Sequence, residues 1–188
     1  MKVRWRAVLV AAWMGTTACQ SSGIGDPCVP EDEYQRYFSG YEVGEVNLET
    51  RSFQCESRIC LVNHFQGRVS CPYGQALGGG ADPRCHIPGT TGPDGAIRVD
   101  VRPQIRNRRA EDAVYCSCRC GGNDERGRYC KCPTGFVCSL LLHDIGIGPS
   151  ELNGSYCIKA GTDYDSRTFL PAGICDRNRH DCGSEDGT

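Results

Sequence analysis

Cysteine carries most of the chemistry this sequence offers, and its densest run is Cys116, Cys118 and Cys120, followed by Cys130, Cys132, Cys138 and Cys157. Thiols at such spacing can hold a soft metal, exchange disulfides, or bond to one another. A structural zinc site wants a Cys-x₂₋₄-Cys pair, repeated. The spacings of that kind, Cys55 to Cys60 and Cys116 to Cys120, lack a clean second knuckle or a nearby histidine. A thiol oxidoreductase wants Cys-x-x-Cys, so that one thiol attacks and the other resolves the mixed disulfide, and the chain has none. Disulfides remain. On a strand, Cys116, Cys118 and Cys120 would point to one face and staple three neighbouring segments.

Other reactive side chains are scattered. His64, His86, His143 and His180 stand in different segments, outside any metalloprotease or triad-like motif, so a hydrolase centre would have to be assembled by folding alone. Asp163 and Asp165 lack the twelve-residue calcium-loop pattern and read as a surface turn. Arg98, Arg102, Arg106, Arg108 and Arg109 are followed at once by Glu111 and Asp112, which partly cancel their field. They read as a solvated face, with a docking patch for an anionic polymer or partner protein as the alternative. Asn153-Gly154-Ser155 reads as a tight turn. No catalytic residue, metal ligand or cofactor-binding residue is assigned, and no cofactor is expected.

The elements that must position these residues are short. With 15 cysteines in 188 residues, and 24 Gly and 10 Pro diluting the apolar runs, covalent staples must replace part of a core. The expected fold is small and disulfide-rich, mainly β and loop, with little helix outside the N-terminal signal. Such bonds persist in oxidising compartments. Phe53, Cys55, Ile59 and Leu61 flank a polar turn at Glu56-Ser57-Arg58, which predicts a hairpin. Gly67 to Cys71 predicts a further strand stopped by Pro72, and Gly78-Gly79-Gly80 a flexible break. Pro88 to Gly95 is a run of turn formers. After it Ile97, Val99 and Val101 alternate with Arg98, Asp100 and Arg102, the period-2 pattern of a half-buried strand ended by Pro103.

The first eighteen residues have the layout of an export signal. Lys2, Arg4 and Arg6 precede an uncharged, mostly apolar run from Ala7 to Gly15, far shorter than the roughly 20 residues a bilayer-spanning helix needs. The following Thr16-Thr17-Ala18-Cys19 resembles a bacterial lipobox, although Thr16 stands where an aliphatic residue is usual. That resemblance implies diacylglycerol on the Cys19 sulfur and cleavage just before it. An ordinary secretory peptide cut after Ala18 would leave Cys19 as a plain thiol or disulfide partner. Parity accords with lipidation, since 15 cysteines cannot all pair, whereas setting Cys19 aside leaves 14.

The implied organisation is a signal peptide over 1–18, a lipidated flexible tether over 19–27, one composite cysteine-rich domain over 28–182 with sub-regions 28–85 and 96–182, and a disordered tail over 183–188. Five cysteines (Cys28, Cys55, Cys60, Cys71, Cys85) fall in the first sub-region and nine (Cys116, Cys118, Cys120, Cys130, Cys132, Cys138, Cys157, Cys175, Cys182) in the second. Both counts are odd, so complete pairing requires at least one bond between the halves, while spacing leaves the connectivity open.

Loss of residues 1–18 takes the net charge from −2 to −5, which argues against nucleic-acid binding. Within the body, Cys130-Lys131-Cys132-Pro133-Thr134-Gly135-Phe136-Val137-Cys138 resembles the ending of EGF-like modules over about ten residues. The spacing upstream departs from that family, so neither its pairing nor a calcium site carries over. The layout of lipobox, short tether and cysteine-rich body resembles surface lipoproteins of myxobacterial type. The expected function is a noncatalytic envelope lipoprotein, anchored to the outer membrane by lipid on Cys19 and engaging an envelope protein or polysaccharide. The alternatives are a soluble secreted or periplasmic protein, and a secreted hydrolase or hydrolase inhibitor.

Overall fold

A computed structural model describes residues 23–76, 85–143, 152–165, 167 and 172–182. The signal segment 1–18, Cys19, the Gly78-Gly79-Gly80 break and the tail 183–188 lie outside the described residues. The body is small, disulfide-rich and built of strands and loops, with one short α-helix among the described residues, α1 (Ala110–Ala113).

Two three-stranded antiparallel sheets organise the chain. The first has the order β1 (Val46–Glu49), β2 (Ile59–Asn63), β3 (Val114–Ser117). The second has the order β4 (Arg119–Gly121), β6 (Gly154–Lys159), β5 (Phe136–Leu142). Strand β2 is a β-branched and apolar run bounded by Arg58 and His64, whose φ values of 65° and 50° turn the backbone out of the strand at each end. Alternation sends Cys60, Val62, Val114 and Cys116 to one face, where they pack with Cys28, Tyr41, Cys55, Phe65 and Ala113. Leu61 and Tyr115, partners in the register, face the other way and meet Ile158 of β6 and Phe136 of β5. Full burial of a side chain such as Leu61 or Ile158 is worth roughly 1.5–3 kcal/mol. Strands β2 and β3 are therefore covered on both faces, and the second sheet supplies one cover.

The chain runs from β3 into β4 through Cys118, changing sheets as it does so. Ser117 Oγ donates to the Cys157 carbonyl at 2.7 Å, and the Cys157 amide donates to the Cys118 carbonyl at 3.1 Å, locking the crossing point. Cys116 and Cys120 thus serve different sheets, a correction to the single-strand reading, because a strand that switches layers cannot keep one face.

Several sequence expectations are revised. Residues 23–27, expected as the end of a flexible tether, are part of the body. Gly25 N–H donates to the Cys116 carbonyl and Cys116 N–H to the Asp26 carbonyl, each at 2.8 Å, and Pro27 bridges Tyr115. The hairpin exists, but its first arm is β1. Phe53 is 88% exposed, and the connection from Thr50 to Arg58 is longer than the predicted three-residue turn. Residues 67–71 make two isolated bridges rather than a strand, because Arg68 turns its side chain inward. Ile97, Val99 and Val101 do face inward while Arg98, Asp100 and Arg102 are exposed, yet among the described residues its bridges lie at its ends, His86 with Ala96 and Gln75 with Val101, with one further backbone bond from Arg98 N–H to the Arg36 carbonyl. Gly154 opens β6 instead of turning. It must be glycine: φ is 141°, and a Cβ there would sit 2.3 Å from the Gly121 carbonyl oxygen.

Two buried arginines replace core where apolar residues are few. Arg68 and Glu33 are both 0% exposed and pair at 3.2 Å; Arg68 also donates to the carbonyls of Glu33, Gln35 and Phe38. Arg108, expected on a solvated face, is buried and donates to the carbonyls of Asn63, His64 and Thr162 at 2.7–2.9 Å. It thereby ties the end of β2 to the segment after β6. Its neighbours follow the expectation more closely: Arg102 pairs with Glu42, Arg106 with Asp181 and Arg109 with Glu111, all at or near the surface.

Candidate functional site

The fourteen cysteines after Cys19 form seven disulfides. Three lie around the first sheet and its loops: Cys28–Cys60, Cys55–Cys116 and Cys71–Cys85. Three knit the second sheet, Cys118–Cys130, Cys120–Cys138 and Cys132–Cys157, and Cys175–Cys182 closes a short loop. Cys55–Cys116 is the bond between sub-regions that the odd counts require. Cys116, Cys118 and Cys120 staple three different segments, at Cys55, Cys130 and Cys138. Cys19 lies outside the described residues. Among the described residues, the trios of metal-ligating side chains close enough to share an ion are all cysteine: Cys28, Cys55 and Cys116; Cys118, Cys130 and Cys157; and Cys120, Cys132 and Cys138. Every one of these sulfurs is already bonded, so its ligating electron pair is no thiolate.

The histidines are held for different reasons in different places. His64 stacks on Tyr164 with ring centroids 4.4 Å apart, and its Nδ1 lies 3.0 Å from the Val43 carbonyl. Burial, aided by the nearby Arg108 cation, pushes its pKa below the usual histidine value. His86 Nε2 lies 3.1 Å from the Gly92 carbonyl, and His180 ends the 3₁₀ turn Arg177–Arg179 in a left-handed conformation. Asp163 and Asp165 are exposed, as expected of a surface turn.

His143 borders a cleft of about 830 Å³ at the end of the second sheet where β5 finishes at Leu142 and β6 begins at Gly154. Arg119 of β4, Asn123 and Arg126 of the following loop, and Asn153 and Ser155 at the start of β6 line it, together with an apolar wall of Leu140 and Leu142 from β5. Local structure fixes these groups. The Arg119 guanidinium donates to the Asn153 carbonyl at 2.5 Å and lies over the Tyr129 ring at 5.3 Å, while Tyr129 OH donates to the Asp124 carbonyl at 2.8 Å. The Asp124 side chain accepts from the Arg126 amide at 2.9 Å, which shapes the loop. Cys120–Cys138 ties β4 to β5 beside the cleft, so its two walls are covalently joined. Two guanidiniums against one carboxylate, with amides, a hydroxyl and an apolar wall, suit an anionic, hydroxyl-rich or peptidic ligand.

None of these cleft residues except His143 and the Asn153-Gly154-Ser155 triplet stands out in the sequence. Arg119 is an arginine between two cysteines, and its role depends on Tyr129 and Asn153 arriving from other segments. Tyr37, 73% exposed, and Phe53, under the Arg58 guanidinium at 4.6 Å, add large outward-facing rings elsewhere on the body. Among the described residues no helix is long and apolar enough to cross a membrane. Comparison with protein-family models, with characterised proteins and with solved structures finds no match.

Proposed function

We propose that the chain is a noncatalytic bacterial envelope lipoprotein, held at the outer membrane by lipid on Cys19, whose stapled body engages an envelope protein or polysaccharide through the cleft between β4, β5 and β6. The observation that carries this reading is the cleft itself, a polar, cationic recess whose walls are joined by a disulfide and whose guanidinium is positioned before any ligand arrives. Preorganisation of that kind lowers the ordering cost of recognition. The beginning of the body supports the anchoring half. Gly25 is already hydrogen-bonded to Cys116 of the body, and the six residue steps from Cys19 to Gly25 span at most about 22 Å. A body on so short a tether would rest against the bilayer surface.

The test has two arms. Intact-mass analysis of protein from a lipoprotein-processing host should show an acylated Cys19 at the N-terminus, with partition into membranes that Cys19→Ser abolishes. An unacylated mature chain would end the anchoring half. Pull-down from intact envelope should then enrich a partner with the native chain and lose it with Arg126→Glu. Equal enrichment by both would remove the cleft from the proposal.

A further inference from the structure

The three disulfides of the second sheet touch through their sulfurs. Cys157 Sγ lies 3.7 Å from Cys118 Sγ and 3.7 Å from Cys130 Sγ. At its other end the Cys132–Cys157 bond brings Cys132 Sγ within 4.8 Å of both Cys120 Sγ and Cys138 Sγ. Cys118–Cys130, Cys132–Cys157 and Cys120–Cys138 therefore form one continuous series of six sulfur atoms, running from the surface inward. Of the fourteen bonded cysteines, Cys138 alone is exposed; Cys120, Cys130 and Cys132 are half-buried, and Cys118 and Cys157 are buried. The absence of Cys-x-x-Cys in the sequence does not bear on this arrangement, because its neighbours come from the β3–β4 crossing, β4, β5, β6 and the loop before β5.

We propose that the stack is a thiol-exchange site, in which a small-molecule thiol adds covalently at Cys138 and the thiol it displaces migrates inward to Cys157. The first step is attack of the incoming thiolate on Cys138 Sγ. A mixed disulfide forms, the Cys120–Cys138 bond breaks, and Cys120 leaves as a thiolate. In the second step Cys120 attacks Cys132 Sγ, forming Cys120–Cys132 and releasing Cys157 as a thiolate. The incoming thiol gives its proton to solvent and Cys157 takes one up, so nothing is oxidised or reduced overall. Cys157 is 0% exposed, so the displaced thiol ends away from solvent and from the exposed adduct at Cys138. The group needed to expel the adduct is thereby withdrawn. Attack of Cys157 back on Cys132 reverses the step, and the other sulfurs within its reach are Cys118 and Cys130, so forward exchange carries the free thiol no closer to the surface than Cys130. Exchange also changes the cleft: the bond joining β4 to β5 is replaced by one joining β4 to the loop at Cys132. S-thiolation at Cys138 would thus uncouple the two walls that the native disulfide holds.

The experiment uses the exported chain purified without reductant and incubated with excess reduced glutathione at pH 8 for minutes to hours, the range of uncatalysed disulfide rearrangement. After acid quenching, free thiols are alkylated and the unreduced chain is mapped by mass spectrometry. The expected result is the tripeptide mass on Cys138 with the alkyl group on Cys157, or on Cys118 or Cys130 one exchange further. Alkylation of Cys120 with Cys132–Cys157 intact would overturn the migration, and a first adduct on any other cysteine, or none anywhere, would overturn the site. In the paired variant Cys132→Ser, Cys157→Ser the alkyl group should remain on Cys120. If that variant does not fold, the native map decides alone.

Discussion

Replacing Arg68 by methionine should unfold this protein far more readily than its place in a turn-rich segment suggests. The side chain is 0% exposed and its guanidinium has four acceptors: the Glu33 carboxylate at 3.2 Å, the carbonyls of Gln35 and Phe38 at 3.1 and 2.9 Å, and the Glu33 carbonyl. Methionine fills much of the stem's volume but donates nothing. Glu33 keeps the Val69 amide at 2.7 Å and the Ser70 hydroxyl at 2.6 Å, so its carboxylate stays hydrogen-bonded while losing the opposite charge it pairs with among the described residues. Breaking a buried pair on one side costs about 3–5 kcal/mol, against a total stability of about 5–15 kcal/mol for a domain. Equilibrium urea unfolding with the disulfides intact, followed by circular dichroism, reads the difference. Glu33→Gln should lower stability as well, and the double variant should fall short of the sum by at least about 0.5 kcal/mol, the signature of coupled neighbours. An unfolding free energy for Arg68→Met within about 0.5 kcal/mol of that of the native protein, or strict additivity, would refute the view that this pair substitutes for core.

Three further outcomes are expected. Removing the cross-link between sub-regions with Cys55→Ser and Cys116→Ser opens a loop of 61 residues. Stability should drop by about 4 kcal/mol, more than the roughly 3 kcal/mol for the 14-residue loop of Cys71–Cys85, as thermal unfolding of the two double variants would show. Gly154→Ala drives a Cβ to 2.3 Å from the Gly121 carbonyl at a φ of 141°, so β4 and β6 must part. Amide exchange should accelerate across that pair, and unchanged protection there would count against the close approach. Because the His64 pKa is lowered by burial, the unfolded chain takes up a proton near pH 6.5 that the folded chain refuses. Stability should therefore fall as pH drops below about 6.5 until the folded group itself protonates. His64→Asn, which tolerates the left-handed backbone, should flatten that part of the Tm–pH profile; identical slopes for the two proteins would show that another group is responsible.

Composition and parity made several features legible in advance. Fifteen cysteines among many glycines and prolines require staples in place of core, and the two odd counts require a bond between halves, which is Cys55–Cys116. Alternation at Ile97, Val99 and Val101 assigned the inward face correctly, because side-chain direction in extended chain is local. Strand pairing is not local, so the same alternation overstated the sheet. Arg108 shows the limit from the other side. A guanidinium next to Arg109, Glu111 and Asp112 reads as solvated until three carbonyls from Asn63, His64 and Thr162 converge on it.

What the sequence determines by itself is thus the economy of the fold: oxidised, β and loop, with its halves joined. Only the tertiary structure decides which sulfurs meet, that the polar end of the second sheet forms a cleft, and that three disulfides stack into one series. The physical reason is that fourteen cysteines admit many pairings equal in covalent chemistry. The choice among them is made by packing such as Leu61 and Tyr115 against Ile158, which brings β3 and β6 together and so sets Cys118 beside Cys157.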